Sequence, residues 1–431
     1  MPFELVETPP RRIAVIGAGI SGMGAAYLLA DTNDVVVFEA AKRLGGHART
    51  VMAGKRGDQP VDTGFIVFNY ANYPHLTALF DRLNVPVTQS KMSFGASFDD
   101  GRCEYQLENL DTLFAVRRNA VNPKFLRMVR DIVHFNKAAP KAATDPAMTV
   151  RDLLDVLGTG AWFRDRYLLP FSGAIWSMPT QKVLDFPAAA MVSFFENHAL
   201  MSHEGQHQWY TVQGGSVEYV RRLEVHLRNA GVDLRTSAPV NAVRRVDRGV
   251  EVKAAGGTWE FFDDVIFATH SDVTLSLLAD PSATERAALG AVRYQTNEAV
   301  LHCDTSFMPV RRKCWASWVY REASAADRER ISLSYWMNSL QPIPMDDLHF
   351  VTLNSNRPVR EDCIYDATTF HHPVYDTAAL AAQKSIRAVN GTANTWFCGA
   401  WMRNGFHEDG FASAVDVAEA MRRARPRVTA A

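Results

Sequence analysis

The segment from Arg12 to Glu39 constrains this chain more than any other. An apolar run, Ile13-Ala14-Val15-Ile16, meets the glycine turn Gly17-Ala18-Gly19-Ile20-Ser21-Gly22; an alanine-rich helix follows through Leu29, and a second apolar run, Val35-Val36-Val37-Phe38, closes on Glu39. Two such runs joined through a helix imply parallel strands with a right-handed crossover, and hence an α/β sheet. The three glycines have separate roles. A tight strand-to-helix turn needs the first, close approach of backbone to a diphosphate needs the second, and close packing of helix on strand needs the third; Gly17, Gly19 and Gly22 occupy those places. Ile20 and Ser21 then open a helix whose amides and dipole favour an anion. Glu39, followed by Ala40, stands where an acid accepts hydrogen bonds from ribose hydroxyls. A glycine turn alone can bind nothing, but here strand, turn, helix, strand and acid follow in order, which points to a dinucleotide.

A length of 431 residues with 47% apolar content exceeds one ordinary core and predicts two domains. Apolar strand patterns return at Asp264-Val265-Ile266-Phe267-Ala268-Thr269 and at Trp396-Phe397-Cys398-Gly399. The reading is therefore an α/β chain: a Rossmann-like cofactor domain from residues 1–64, 208–290 and 388–431, interleaved with an α+β substrate domain from 65–207 and 291–387. The balance of 46 basic and 47 acidic residues argues against nucleic acid as a partner. Five scattered cysteines form no Cys-x-x-Cys, which suggests neither a disulfide framework nor a zinc site. With the first strand starting so early and no apolar run of spanning length, the expectation is a cytoplasmic protein, peripheral to a membrane at most.

A second glycine pair follows the ribose acid in Arg43-Leu44-Gly45-Gly46-His47. It lets another turn approach the diphosphate or a ribityl chain, with Arg43 offsetting charge; a plain surface turn is the other reading. With these elements the chain resembles the flavin-containing amine oxidase superfamily, with His47 where a second arginine is usual. The resemblance extends through Val61-Asp62-Thr63-Gly64-Phe65, the strand around Val240, Ala268-Thr269, Gly399 and Gly410-Phe411-Ala412. It implies noncovalent FAD, since Arg403-Asn404-Gly405-Phe406-His407 contains no cysteine for attachment. It also implies that residues 410–412 set a helix amino terminus against the flavin pyrimidine edge, stabilising negative charge there.

The resemblance breaks where amine chemistry would sit. The family's lysine near the flavin has no counterpart in Arg293–Val300, and Trp401, Phe406 and His407 replace its aromatic cage. Glu408 or Asp409 is left to replace the family's acid after Phe-x-Gly. His407 is the candidate proton-transfer residue, because histidine titrates near neutrality and the family register puts it beside the ring; a structural histidine is the other reading. His270, His371 and His372 read as hydrogen-bonded loop residues. His198, His203 and His207 lack a convergent ligand set, so no metal is expected.

Between Phe114 and Phe135 aliphatic residues alternate with Arg117, Arg118, Lys124, Arg127 and Arg130. Such a stretch either packs on its own core or rests on anionic lipid, so peripheral membrane contact through 114–135 stays open. Ile175–Pro179 and Met191–Phe195 read as core or as the lining of an apolar tunnel. The pattern resembles a bacterial subgroup that isomerises or desaturates fatty acyl chains. The expected function is FAD-dependent hydride abstraction from an apolar, fatty-acyl substrate, with a membrane lipid among the candidates; a peroxide-forming amine oxidase and a non-catalytic lipid escort protein are the alternatives.

Overall fold

The computed structural model describes residues 10–145, 147–201, 206–322 and 331–424. A five-stranded parallel sheet organises the cofactor side, in the order Asp233–Arg235, Asn33–Phe38, Arg11–Ile16, Asp264–Phe267, Thr395–Phe397. Its three central strands are apolar on both faces because both faces are covered. Ile13, Val15, Val35 and Val37 face one core, with Met23 and Leu29 of the helix Ile20–Leu29, Leu223 of the helix Val217–Asn229 and Val417 of the closing helix His407–Ala424. Ala14, Ile16, Val36 and Phe38 face the other, against Val243, Val252 and Phe262 of a three-stranded antiparallel sheet. Each aliphatic side chain fully buried here contributes about 1.5–3 kcal/mol.

A seven-stranded sheet forms the second half, in the order Ile364–Val374, Arg293–His302, Phe350–Leu353, Leu333–Trp336, Trp318–Glu322, Phe94–Phe98, Cys103–Gln106. All pairings are antiparallel except that of Trp318–Glu322 with Phe94–Phe98. Helices between residues 123 and 197 cover one end through a core rich in phenylalanine, including Phe125, Phe135, Phe163 and Phe195.

Two stretches that the sequence reading gives to the substrate domain pack instead on the cofactor side. Phe68, Leu76, Leu79 and Phe80 share the core of the glycine-motif helix, and Val67–Asn69 joins a three-stranded sheet with Val87–Ser90 and Trp209–Val212. The helix Thr377–Val389 buries Ala379, Ala382 and Ile386 beside Phe397 and Leu289. Glycine motifs mark turns, and the helices beyond them continue the same core, so boundaries drawn at 64 and 388 cut that core short.

The basic stretch forms the short helix Leu110–Leu113, a turn through Arg117–Val121 and the long helix Pro123–Ala142. Asn122 accepts from Lys124 N–H and Pro123 opens the first turn, a combination that starts helices. Phe125, Met128, Ile132 and Phe135 point into the core, so most of the aliphatic face is used in internal packing. Among the described residues no helix is long and apolar enough to cross a membrane.

Candidate active site

The two halves enclose a cavity of about 1900 Å³, well beyond the roughly 300–1,000 Å³ of a small-ligand pocket. The glycine turn forms one end. Gly17 adopts φ +97°, and its N–H donates to Phe38 O at 2.8 Å, tying the turn to both strands. A Cβ on Gly22 would sit 1.8 Å from Gly17 O, so helix and turn meet only without one. A Cβ on Gly19 would meet nothing within 4 Å; it would project into the open cradle where a diphosphate must come close. The helix Ile20–Leu29 starts here with no side-chain cap and no acid in its first turn. That leaves its dipole for an anion.

Glu39 lines the cavity and also braces the turn, where Oε2 accepts from Ala18 N–H at 2.7 Å and Oε1 from Ala41 N–H at 2.8 Å. The second glycine pair docks on the first turn. Gly45 N–H donates to Ala18 O at 2.8 Å, and a Cβ on Gly46 would lie 2.9 Å from Gly19 Cα. Arg43 does not face the cavity. Its guanidinium donates to Gly46 O at 2.7 Å and to Ala48 O at 3.1 Å, so it stiffens the second turn rather than offsetting ligand charge. Gly22, Leu44 and Gly45 likewise shape the wall from behind; Leu44 is core. Of the other cofactor residues expected from sequence, Gly17, Gly19, Ile20, Ser21, Ala40, Gly46, His47, Gly64, Phe65, Val240, Ala268 and Gly399 all line the cavity.

The carboxyl-terminal element differs from expectation. The closing helix begins at His407, so residues 410–412 lie beyond its start and do not line the cavity. Gly410 lies against Ile20 and Ser21, Phe411 against the face of Gly24, and Ala412 is buried: these residues join two helices. Gly410 N–H is already given to Phe406 O. Glu408 and Asp409 are not substrate contacts either. Glu408 accepts from His75 and Leu76 N–H at 3.0 and 2.9 Å, capping the helix Pro74–Arg82, and Asp409 accepts from Phe406 N–H at 2.9 Å.

His407 does line the cavity, stacked on Phe65 with ring centroids 4.0 Å apart, its Nε2 2.6 Å from the Tyr219 hydroxyl. Desolvation in this partly buried position pushes it down to about 3. Its ring is therefore neutral at ordinary pH, which removes the expected titration near neutrality.

The strand Arg293–His302, where the family's lysine is expected, holds no lysine, and its Asn297 is fully buried without lining the cavity. Its Nδ2 lies 2.7 Å from His372 Nδ1, and its Oδ1 accepts from Asn354 at 2.7 Å. Cross-strand register, with Gln295 opposite His372 and Asn297 opposite Phe370, gathers a group that sequence spacing could not reveal. His47 stacks on Phe370 at 5.1 Å and lies 5.6 Å from the His372 ring and 5.9 Å from that of His270. Burial pushes His372 down to about 4 and lowers His47 and His270. His47 Nε2 is buried with no hydrogen-bond partner in the protein. An orphaned ring nitrogen in a cavity wall, beside a cradle that a Cβ would fill, fits a polar ligand such as a dinucleotide.

No metal-holding group of His, Cys, Asp or Glu occurs among the described residues. His198 Nδ1 lies 2.9 Å from Phe194 O and His207 Nε2 3.4 Å from Asn197 O; His203 lies outside the described residues. No cysteine lines the cavity among the described residues. Away from the glycine turns the wall combines aromatic and aliphatic side chains, among them Tyr167, Phe171, Ile175, Trp176, Phe194 and Phe406, with polar ones such as Gln89, Lys91, Gln106, Asn136 and Asn338. Met191 and Phe195, by contrast, are core.

The family described as Flavin containing amine oxidoreductase matches residues 20–345. Among solved structures, the chain is similar to a CLA-producing fatty acid isomerase from P. acnes: 15% identity, TM-score 0.68, covering 96% of this chain and 99% of that one. It is also similar to cyclohexylamine oxidase from Brevibacterium oxydans IH-35A, with 16% identity, TM-score 0.64 and coverage of 96% and 100%. At such identities the likeness is one of fold. An L-amino-acid oxidase of Bothrops pauloensis is 47% identical over 49 residues, 11% of this chain and 10% of that protein. That likeness spans about a tenth of the relative.

Proposed function

The chain belongs to the flavin-containing amine oxidoreductase family, with FAD as its cofactor, and on that premise we propose that it is an oxidoreductase abstracting hydride from a C–H bond of a fatty-acyl chain. One observation carries the reading: Tyr167, Phe171, Ile175, Trp176, Phe194 and Phe406 give the cavity an aromatic and aliphatic wall section, and the strand Arg293–His302, where the family's lysine is expected, holds no lysine.

FAD bound across the glycine turns supplies a two-electron acceptor for hydride. The chain's own residues set the rest. Gly19, Gly46 and the start of the helix Ile20–Leu29 receive the diphosphate, and Glu39 receives the ribose. The stacked pair Phe65 and His407 forms a stiff wall, and Phe171, Trp176 and Phe194 exclude water and align an unbranched chain. Asn297, held by His372 and Asn354, sits behind the wall, and the strand Arg293–His302 brings no lysine to the cavity. Desaturation removes a hydride and a neighbouring proton and consumes an oxidant; isomerisation returns the hydride elsewhere on the chain and consumes none.

The test is product analysis after incubating the purified yellow protein with unsaturated acyl lipid, with and without oxygen. A new double bond only with oxygen identifies desaturation, and a displaced one without oxygen identifies isomerisation. Hydrogen peroxide from a panel of simple amines, with acyl chains unchanged, would replace this reading with amine oxidation. Protein that refuses FAD and returns lipid unaltered would leave the escort alternative.

A further inference from the structure

The cavity reaches the surface beside the basic segment. Leu110, 73% exposed, and Val133 both line it and both face solvent. On the helix Pro123–Ala142, Leu126, Arg130, Val133 and Lys137 fall at offsets of four, three and four. They form one outward stripe alternating apolar and cationic side chains. Val121, 81% exposed, lies in the turn just before that helix.

Asp111, next to Leu110, accepts from Arg117 at 2.5 Å and so links the mouth to a second, open pocket of about 440 Å³. Arg102, Arg117, Arg118 and Arg311 line that pocket, with Val310 78% exposed at its edge. Two of the four arginines are answered by carboxylates: Arg117 by Asp111 and Arg311 by Glu104 at 3.0 Å. Asp100, also in the pocket, faces Arg321 at 3.7 Å. Arg118 donates to the Arg102 backbone carbonyl, and neither Arg102 nor Arg118 has a carboxylate partner among the described residues. The local balance agrees. Residues 102–137 carry seven cations and four acids in a chain of net charge −1. Two of those acids, Glu104 and Asp131, are buried.

We propose that this face docks on an anionic phospholipid bilayer, with a lipid phosphate held between Arg102 and Arg118 and Leu110, Val121, Leu126 and Val133 set among the acyl chains. The proposal rests on the acyl-chain reading above and sharpens it: the substrate is a chain esterified in a membrane lipid, drawn in at Leu110. Exposed apolar side chains beside a surplus of cations, with Glu108 and Asp111 the two exposed acids next to Leu110, match an interface where headgroup charge and hydrocarbon lie within one side-chain length.

The experiment is co-sedimentation of the full-length holoprotein with vesicles of phosphatidylcholine alone or with phosphatidylglycerol added. Binding is expected to the anionic vesicles, falling as salt rises. The double variant Arg102→Glu/Arg118→Glu is expected to lose roughly tenfold or more in affinity while keeping its flavin absorbance, and Leu126→Asp to weaken binding as well. Arg248→Glu, in the hairpin turn of the small antiparallel sheet, serves as the control and is expected to bind as the unmodified chain does. Equal binding to neutral and anionic vesicles, no binding, or full binding by the double variant would each overturn the proposal. Vesicle binding needs no turnover, so the two readings separate. Turnover of dispersed free fatty acid without vesicle binding ends the docking proposal alone, whereas vesicle binding without any acyl turnover ends the acyl reading and leaves the surface.

Discussion

Two helices bring their amino-terminal ends to the same cavity, and their first turns touch, yet they are built differently. The helix Ile20–Leu29 opens on Gly19 with no cap and no acid in its first turn. The closing helix opens on His407 with Glu408 and Asp409 directly behind it. Backbone dipoles of equal sign have thus been used in opposite ways. The first is left for a ligand's charge; the second is answered from within, by Asp409 on Phe406 N–H and by the carboxylate of Glu408, which reaches across to cap a third helix. A helix start in a cavity wall is an anion site only when its own side chains leave it open.

The largest expected effect tests the open end. Gly19→Val places its branches in the empty cradle without meeting protein atoms, so the variant should fold and remain colourless, with FAD affinity down by about hundredfold, roughly 2.7 kcal/mol. Gly22→Val, whose Cβ would collide with Gly17 O, should instead fail to fold properly. Flavin absorbance with circular dichroism separates the two. A yellow Gly19→Val protein of normal affinity would break the comparison.

The open end was also the legible one, for the same reason. Everything the helix Ile20–Leu29 needs lies within the 28 residues from Arg12 to Glu39, so residue order carries the geometry. The closing helix depends on distant partners. His407 meets Tyr219 across 188 residues of chain, and its burial, which makes it neutral, comes from Phe65 and Tyr219 together. Sequence located His407 at the cavity but had no means of sensing its surroundings. Arg43 reads as a ligand cation because its charge is visible and the carbonyls of Gly46 and Ala48 that it binds are not. The imidazole group around His47 escaped altogether, since His372 reaches it only through strand register.

The closed end gives the next effect, through acid. Burial holds His407 at about 3 in the folded chain, against 6.5 when exposed, so its contribution to stability is complete above 6.5 and is lost as pH falls from 6.5 toward 3. By pH 5 that amounts to about 2 kcal/mol. Melting curves of the unmodified chain and of His407→Gln should therefore converge by about that amount between pH 7 and pH 5. The same neutrality predicts a kcat/KM profile with no inflection from His407 between pH 5 and 9. A variant whose separation from the parent stays constant with pH would show that His407 is not shielded.

Glu408→Gln comes next, at about 1 kcal/mol of stability. One of the two amides it caps, those of His75 and Leu76, must then face an NH2 group rather than an oxygen. FAD affinity should change little, because the carboxylate answers a third helix and not the cofactor. A large loss of FAD with unchanged melting would place Glu408 on the ligand side of the comparison.

Asp409→Asn is the smallest effect and the most discriminating. Burial raises Asp409 to about 6, so near pH 7 it is mostly ionised and holds one negative charge at the start of the closing helix. If that charge offsets the dipole felt across the cavity, removing it makes the site more hospitable to electrons, and the FAD midpoint potential should rise by about 20 mV. Below pH 6 the unmodified carboxyl is itself protonated, so the difference between the two proteins should close as pH falls through 6. A spectroelectrochemical titration at pH 7.5 and 5.5 reads both values. A shift that persists at the lower pH would come from rearrangement of Phe406 and its neighbours. No shift at either pH would mean that the closing helix supplies only packing, through Gly410 and Phe411, and that the helix Ile20–Leu29 alone presents its dipole to the cofactor.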